Sequence, residues 1–460
     1  MSRGGFCEAC FEKQKEIDRL KEENKRLKDN LRRQERKATE GFFGSSTPSS
    51  QVPVKPTSLE ENQRRKGGAK PGHPGHGRRA IAACEADHVH DVEVPVADRC
   101  PRCGSGDFEP LALVERSVID SPPVKAETHV YRLAGKRCRQ CRAVYRAKAP
   151  SVMPKALYGN RLVANQAVLH YIHGVPLGRL EEMLGLGYGA MVAIEHRLAR
   201  LFAPVVPKLI EEYRQAPVKH ADETGWRTDG AGGYAWLFAT ETLSIFEFRS
   251  TRSASVVADV MGKKPLPGTL VVDRYGGYNK APCALQYCYA HLLRTLQDLG
   301  REFPGNPEVR AFVDTLAPML DQAMGLRLQP MADAAFYTQA RALEKRIRRA
   351  VNAEAVHPGI RAFQAIFREN PSRMYRWAAD RRVPADNNRS ERDLRPSVIA
   401  RKVSFGSQSP KGAKTRGVLT TVLHTLRKRR PADYQDRFKD VLDALALDPS
   451  ADPFMLLFAP

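Results

Sequence analysis

Residues 217–296 constrain the fold more than any other stretch, because acids close two of their strand-like runs. "PVKHADETGWRT" reads as a strand ending in acids, and "GGYAWLFAT" and "LSIFEFR" as two more strands, each after a turn. "TRSASVVADVMG" suits a helix, and "GTLVVDRYGGY" is a buried apolar run ending in Asp273. "LQYCYAH" is a further short strand and "LLRTLQDLG" begins a helix. The order is β-β-β-α-β-loop-β-α.

That is the ribonuclease H-like order, in which the first and fourth strands lie side by side. Asp222, near the end of the first, and Asp273, at the end of the fourth, are then neighbours. Two adjacent carboxylates repel unless something positive sits between them. Mg²⁺ (or Mn²⁺) suits such a site, because it takes hard oxygens from a few carboxylates, water and phosphate. Two such ions ~4 Å apart serve phosphoryl transfer, and a third carboxylate completes their sites. The candidate is Glu391, in "VPADNNRSERDLRP" at 383–396. Two readings stay open for it. Asn388 could cap a helix, which puts Glu391 three residues on, at capping-box spacing. Alternatively, Glu391 is the missing ligand on a helix laid across the sheet, with Arg392 and Arg395 facing DNA phosphates. Arg401, Lys402 and Arg197 are further candidate DNA contacts.

At 460 residues the chain is long enough for roughly three domains. Its 74 basic against 52 acidic residues give a net charge of +22, which favours a polyanion, with nucleic acid the default. No apolar run of about 18 residues predicts a membrane helix. "MSRGGFCEACFEKQKE" lacks a signal-peptide core, so a cytoplasmic protein is expected and the nine cysteines read as metal ligands or buried thiols. Residues 12–38 read as a short coiled coil with Ile17, Asn24 and Leu31 at a, and Leu20, Leu27 and Gln34 at d, which predicts a homodimer. Residues 39–82 read as a flexible basic linker. Residues 83–152 carry Cys100/Cys103 and Cys138/Cys141, two Cys-x-x-Cys knuckles whose thiolates suit a structural Zn²⁺ in a small β module, with unligated thiols as the alternative. "ALVERSVID" and "AETHVYRLAG", between the knuckles, read as strands. Within 155–215, helices ending at Gly174 and Gly185 precede "GAMVAIEHRLARLF", a helix-turn-helix pattern whose bland alternative is a packed helical hairpin. "RKVSFGSQSPKGAKTRG" lacks the Gly and Lys-Ser/Thr spacing of a nucleotide loop.

"HADETGWR", "VVDRYGGYN", "CYAHLLR", "DNNRSERDLRPSVIARK" and "CPRCG…CRQC", in this order, give the chain a family likeness. It resembles the transposases of the insertion sequence 66 family, with an aspartate-aspartate-glutamate active site. Arg274, beside Asp273, departs from the glycine or serine often found there. The resemblance covers nearly the whole chain. It implies a multidomain α+β protein whose ribonuclease H-like catalytic core occupies 216–296 and 381–430. An all-α insertion at 297–380 would divide that core, and a helical tail at 431–460 would follow it. It implies that Asp222, Asp273 and Glu391 are the metal-binding catalytic triad. The expected substrates are the terminal inverted repeats of a mobile element and target DNA, with small accessory proteins as further partners. His291 and Cys288 match a family motif, and a packing role is expected for the histidine. A DNA-binding regulator, or a nuclease that cuts without joining, are the competing readings.

Overall fold

The computed structural model describes residues 126–459 except Cys138, together with residues 13, 16, 17, 19–21, 23, 24, 84, 89, 102, 104 and 105. The chain divides into two units, Val54–Lys125 and the remainder. In the first unit Cys84 is exposed. Cys100, Cys103 and Cys138 lie outside the described residues, and Cys141 is exposed. Most of the expected coil also lies outside them. Its described members, Ile17, Leu20 and Asn24 among them, are helical and exposed.

In the larger unit, β1 (Gly135–Arg137) and β2 (Val144–Arg146) form an antiparallel hairpin around the second knuckle. Of the strand expected from "AETHVYRLAG", only the last residue, Gly135, enters a strand. Residues 126–134 are exposed and carry no regular element, and no described residue buries their alternate side chains. The strand expected from "ALVERSVID" falls outside the described residues.

Four helices follow: α1 (Asn160–Tyr171), α2 (Leu177–Leu184), α3 (Tyr188–Phe202) and α4 (Val205–Gln215). Punctuation sets their ends. Gly174 and Gly185 take φ values of 71° and 65°, and Pro176 caps α2, where its missing N–H costs nothing. Leu180, Leu184, Leu186 and Met191 pack α2 against α3 across the glycine turn.

The sheet then forms in the expected order. β3 (Val218–Thr228), β4 (Ala231–Ala239) and β5 (Ser244–Arg249) are an antiparallel meander. α5 (Ala254–Met261) crosses over to β6 (Thr269–Val272), which pairs parallel with β3. β7 (Ala284–Tyr287) pairs parallel with β6, giving the spatial order β5-β4-β3-β6-β7. A parallel neighbour needs a crossover and an antiparallel one only a turn, so the Asp229-Gly230 turn and α5 decide which side of β3 each partner takes. At Gly268, before β6, φ is 76° and a Cβ would lie 2.3 Å from Pro217 O, so the close start of the β3–β6 pair requires glycine.

Helices enclose the sheet. After α6 (Tyr289–Glu302) come α7 (Pro307–Leu326), α8 (Asp333–Asn352) and α9 (Pro358–Glu369), then the short α10 (Pro371–Met374) and α11 (Arg376–Ala379). The 297–380 segment is thus helical. The chain returns through α12 (Asn388–Ser404) and α13 (Pro410–Arg429) and ends in α14 (Tyr434–Leu447) and α15 (Pro453–Phe458). α14 packs on the first helices, with the Phe438 and Phe202 rings 5.2 Å apart and Asn160 donating to Asp443 over 2.8 Å. No described helix is long and apolar enough to cross a membrane.

Candidate active site

Strand register brings the two aspartates together. His220 of β3 pairs with Val271 of β6, so Asp222 and Asp273 each stand two residues further along adjacent parallel strands. Asp222 is 3 % exposed. Its Oδ1 accepts from the Glu223 N–H over 2.8 Å, while its buried Oδ2 has no hydrogen-bond partner. Asp273 Oδ1 accepts from the Tyr275 N–H over 2.9 Å.

The third acid arrives on α12, which lies along β3 and is fastened near both its ends. Asn387, at the helix N-cap, is buried. Its Oδ1 meets His220 Nδ1 at 2.9 Å, and its Nδ2 donates to Ala221 O over 2.9 Å. Its own N–H reaches Cys288 Sγ over 3.1 Å. Fourteen residues on, Arg401 donates to Gly225 O over 2.8 Å and Thr224 Oγ1 over 3.2 Å. Between these fasteners Leu394 packs on Leu237, Ala239 and Phe246. Period-two alternation puts His220, Asp222 and Thr224 on one face of β3, the face α12 covers.

This placement bears on the capping reading of Glu391. The helix begins one residue earlier than the Asn388 cap requires, with Asn387 at the N-cap making no side-chain cap bond. Ser390 occupies the third helical position and donates to Asn387 O, and Glu391 opens the backbone ladder with Asn387 O as its acceptor. The Asn388 N–H is held by Asp386 Oδ1 at 3.0 Å. A capping box needs its acid at the third position, which Glu391 does not occupy. Its carboxylate, 28 % exposed, instead lies 3.9 Å from His291 Nε2 in the first turn of α6.

The electrostatics are those of crowded acids. Burial first, then the charges of Glu223, Asp273 and Glu391, hold the Asp222 carboxyl well above the usual carboxylate range. Burial raises Asp273 as well, against the Tyr275 N–H, Arg252 and Arg274. Burial, with Arg294 and Arg274 nearby, lowers His291 to about 4, so its imidazole is neutral at pH 7. Neither ring nitrogen of His291 has a hydrogen-bond partner. A packing role is expected for it from its motif, and the side chain lies against Glu391.

Whether these residues fit a hard divalent cation divides into kind and position. In kind they fit, since three oxygen-bearing acids approach one another and the charges of Asp273 and Glu391 raise the Asp222 carboxyl, whose Oδ2 is partnerless. In position, no three His, Cys, Asp or Glu side chains among the described residues are gathered as a finished metal site. Glu391 is more exposed than Asp222, at 28 % in the first turn of α12 against 3 %.

The basic candidates separate by environment. Arg392, Arg395 and Lys402 are exposed on α12. Arg401 turns inward to β3, where burial lowers its proton affinity. Arg197 donates to Pro154 O over 2.6 Å. Glu223, Arg252, Asn387 and His220 were not singled out from the sequence. Asn387 and Glu223 lie inside quoted motifs, but their buried partners are up to 167 positions away.

A sheet in this order, with acids at the ends of its adjacent central strands, is consistent with the ribonuclease H-like transposase domain. Residues 155–415 match the family model described as "Transposase IS66 family". The chain belongs to that family. It is also similar to "Uncharacterized protein y4qI" of Sinorhizobium fredii (strain NBRC 101917 / NGR234), at 24 % identity over 437 residues, covering 85 % of this chain and 78 % of that protein.

Proposed function

We propose that this transposase cuts and joins DNA at a site formed by Asp222, Asp273 and Glu391. The observation that carries the reading is the approach of three acids from β3, the end of β6 and α12, in which the charges of Asp273 and Glu391 add to burial in raising the buried Asp222 carboxyl. Nothing in packing requires that arrangement, and a protein gains stability by dispersing such charges.

The three carboxylates would hold Mg²⁺ or Mn²⁺, which when bound supplies charge stabilisation at the phosphate and activation of the attacking oxygen. The chain's own residues do the rest. Arg392, Arg395 and Lys402, exposed along α12, would grip the strand's phosphates and set its register against the acids. His291, neutral at pH 7, lets a cation approach Glu391 without repulsion. Hydrolysis forms a bond from water oxygen to phosphorus and breaks the bond to the 3′ oxygen, leaving a 3′ hydroxyl. Joining forms a bond from that 3′ oxygen to a target phosphorus and expels the target strand's own 3′ oxygen.

The substrates would be the element's terminal inverted repeats and target DNA. The α2–α3 pair would grip the ends as a helix-turn-helix. The Cys100, Cys103, Cys138 and Cys141 knuckles would hold a structural Zn²⁺. The coil would pair two protomers, and small proteins of the same element could assist.

The test uses purified full-length protein, a labelled duplex carrying the element's end, and Mg²⁺. Asp222→Asn and Asp273→Asn are expected to bind that duplex as wild type does and to cut it undetectably. Cutting at wild-type rate by either variant removes that residue from the site.

A further inference from the structure

Behind β3, on the face opposite α12, is a second group of polar side chains that the cutting reaction leaves unused. Glu223 is fully buried, and its Oε1 accepts from Arg252 Nε over 2.8 Å and Nη2 over 2.6 Å. Its Oε2 accepts from the Tyr278 hydroxyl. Arg252 lies over the Tyr275 ring at 3.9 Å from the centroid, and the Tyr275 hydroxyl donates to Arg252 O. The Tyr275 and Tyr278 rings meet edge to face at 5.9 Å. Gly277 sits under the first of them, where a Cβ would come within 2.4 Å of Tyr275 Cε1.

These contacts form a closed path between the two aspartates. Asp222 Oδ1 is held by the Glu223 N–H, and Asp273 Oδ1 by the Tyr275 N–H. Glu223 and Tyr275 are joined through Arg252. The loop after β6 is thus tied to Arg252 by Tyr275 and to the Glu223 side chain of β3 by Tyr278, two and five residues beyond Asp273. A buried ion pair is weak evidence of stability, since well-packed apolar residues often serve as well. This one needs another reason to be where it is. We propose that Glu223 and Arg252 are positioning residues, which through Tyr275 and Tyr278 set the distance and angle of Asp273 relative to Asp222. The inference rests on the reading of those two aspartates as the cutting carboxylates.

Removing one partner leaves a buried charge and could unfold the chain, so the test centres on the double variant Glu223→Gln/Arg252→Met, which leaves none. Two readouts are taken on the full chain. In metal-free hydrogen exchange, the amides of Tyr275–Asn279 are expected to lose protection while those of β4 and α13 keep it. In single-turnover cutting with Mg²⁺, a displacement of about 1 Å at the reacting groups costs on the order of 100-fold, and a loss of that size is expected with end-DNA affinity unchanged. Arg252→Lys, which keeps the charge, is expected to recover part of the rate. A folded double variant that keeps the loop protected, or that cuts as fast as wild type, overturns the proposal. Failure of the underlying reading looks different. In that case Asp222→Asn itself cuts normally, and the exchange readout still decides whether the pair holds the loop.

Discussion

Asn387 shows how much one side chain can decide here. It satisfies His220 Nδ1 and Ala221 O and is 1 % exposed. An Asn387→Ala substitution strands both groups, each at about 1–3 kcal/mol, and frees the start of α12. Urea unfolding is expected to report a loss on that scale, with cutting reduced further because Glu391 is four residues on. Asn387→Asp keeps the acceptor but loses the Nδ2 donor, so it should fall between. The two aspartates were legible because strands announce their ends with turn residues and acids. The path from Glu223 to Tyr275 was not. It depends on which residues share the back face of β3 with the loop after β6, and that is known only once the strands are paired. The helix start was misplaced by one residue for a similar reason. Two adjacent asparagines offer equal local caps, and Asn387 is drawn into the N-cap position by partners on β3 and at Cys288.

Elements repeat the pattern. α1, α2 and α3 could be read from apolar period and glycine or proline punctuation. α13 could not, because its key stripe is small and polar. Gly417, Thr421 and Thr425 recur every fourth residue and face β5, an edge strand. Thr421 Oγ1 accepts from the Phe246 N–H over 2.9 Å and Thr425 Oγ1 from the Ser244 N–H over 3.1 Å, while a Cβ at Gly417 would lie 3.1 Å from Phe246 O. The helix thereby covers backbone groups that an open edge would offer to another chain. Thr421→Val preserves volume but orphans a buried N–H, so thermal unfolding should show a loss of about 1–3 kcal/mol. Leu394→Ala tests the other attachment. It empties part of the layer between α12 and the sheet and is expected to cost about 2–5 kcal/mol. Wild-type stability in the Leu394→Ala protein would mean α12 is held only by its polar fasteners.

The whole molecule carries a pH signature away from the carboxylate cluster. Burial lowers His424 to about 4, and burial with Arg416 lowers His170 to about 3. A histidine depressed in the folded state contributes stability that is complete above its ordinary value near 6.5 and is lost as pH falls through the folded value. Glu195 runs the other way. Burial raises it to about 7, so its contribution is present below its ordinary 4.5 and is lost as pH rises through about 7. On acidification from pH 6.5 toward 4 the two histidines therefore lower the denaturation midpoint while Glu195 opposes them. Complete passage of the His424 window is worth on the order of 3 kcal/mol. His424→Gln, which can still donate to Tyr171 O, should remove that part of the pH dependence, so that its midpoint drops less than wild type's between pH 6.5 and pH 4, and an unchanged pH dependence would remove His424 from the account.

At this scale the order of the sheet strands was legible, since meander and crossover follow from turn and helix spacing. The distribution of the basic residues was not. Arg401 and Lys402 are adjacent in sequence, yet one turns inward to β3 and the other faces solvent. The central claim is that Glu391 completes the site that Asp222 and Asp273 begin, and Glu391→Gln tests it most directly. Glutamine keeps the shape and hydrogen-bonding capacity of the side chain and removes its charge. With Mg²⁺ and a labelled element end, the variant is expected to bind as wild type does and to yield neither cut nor joined product. Cut and joined products at wild-type rates would contradict the claim, and the third acid would then have to be another, with Asp386 the first to examine.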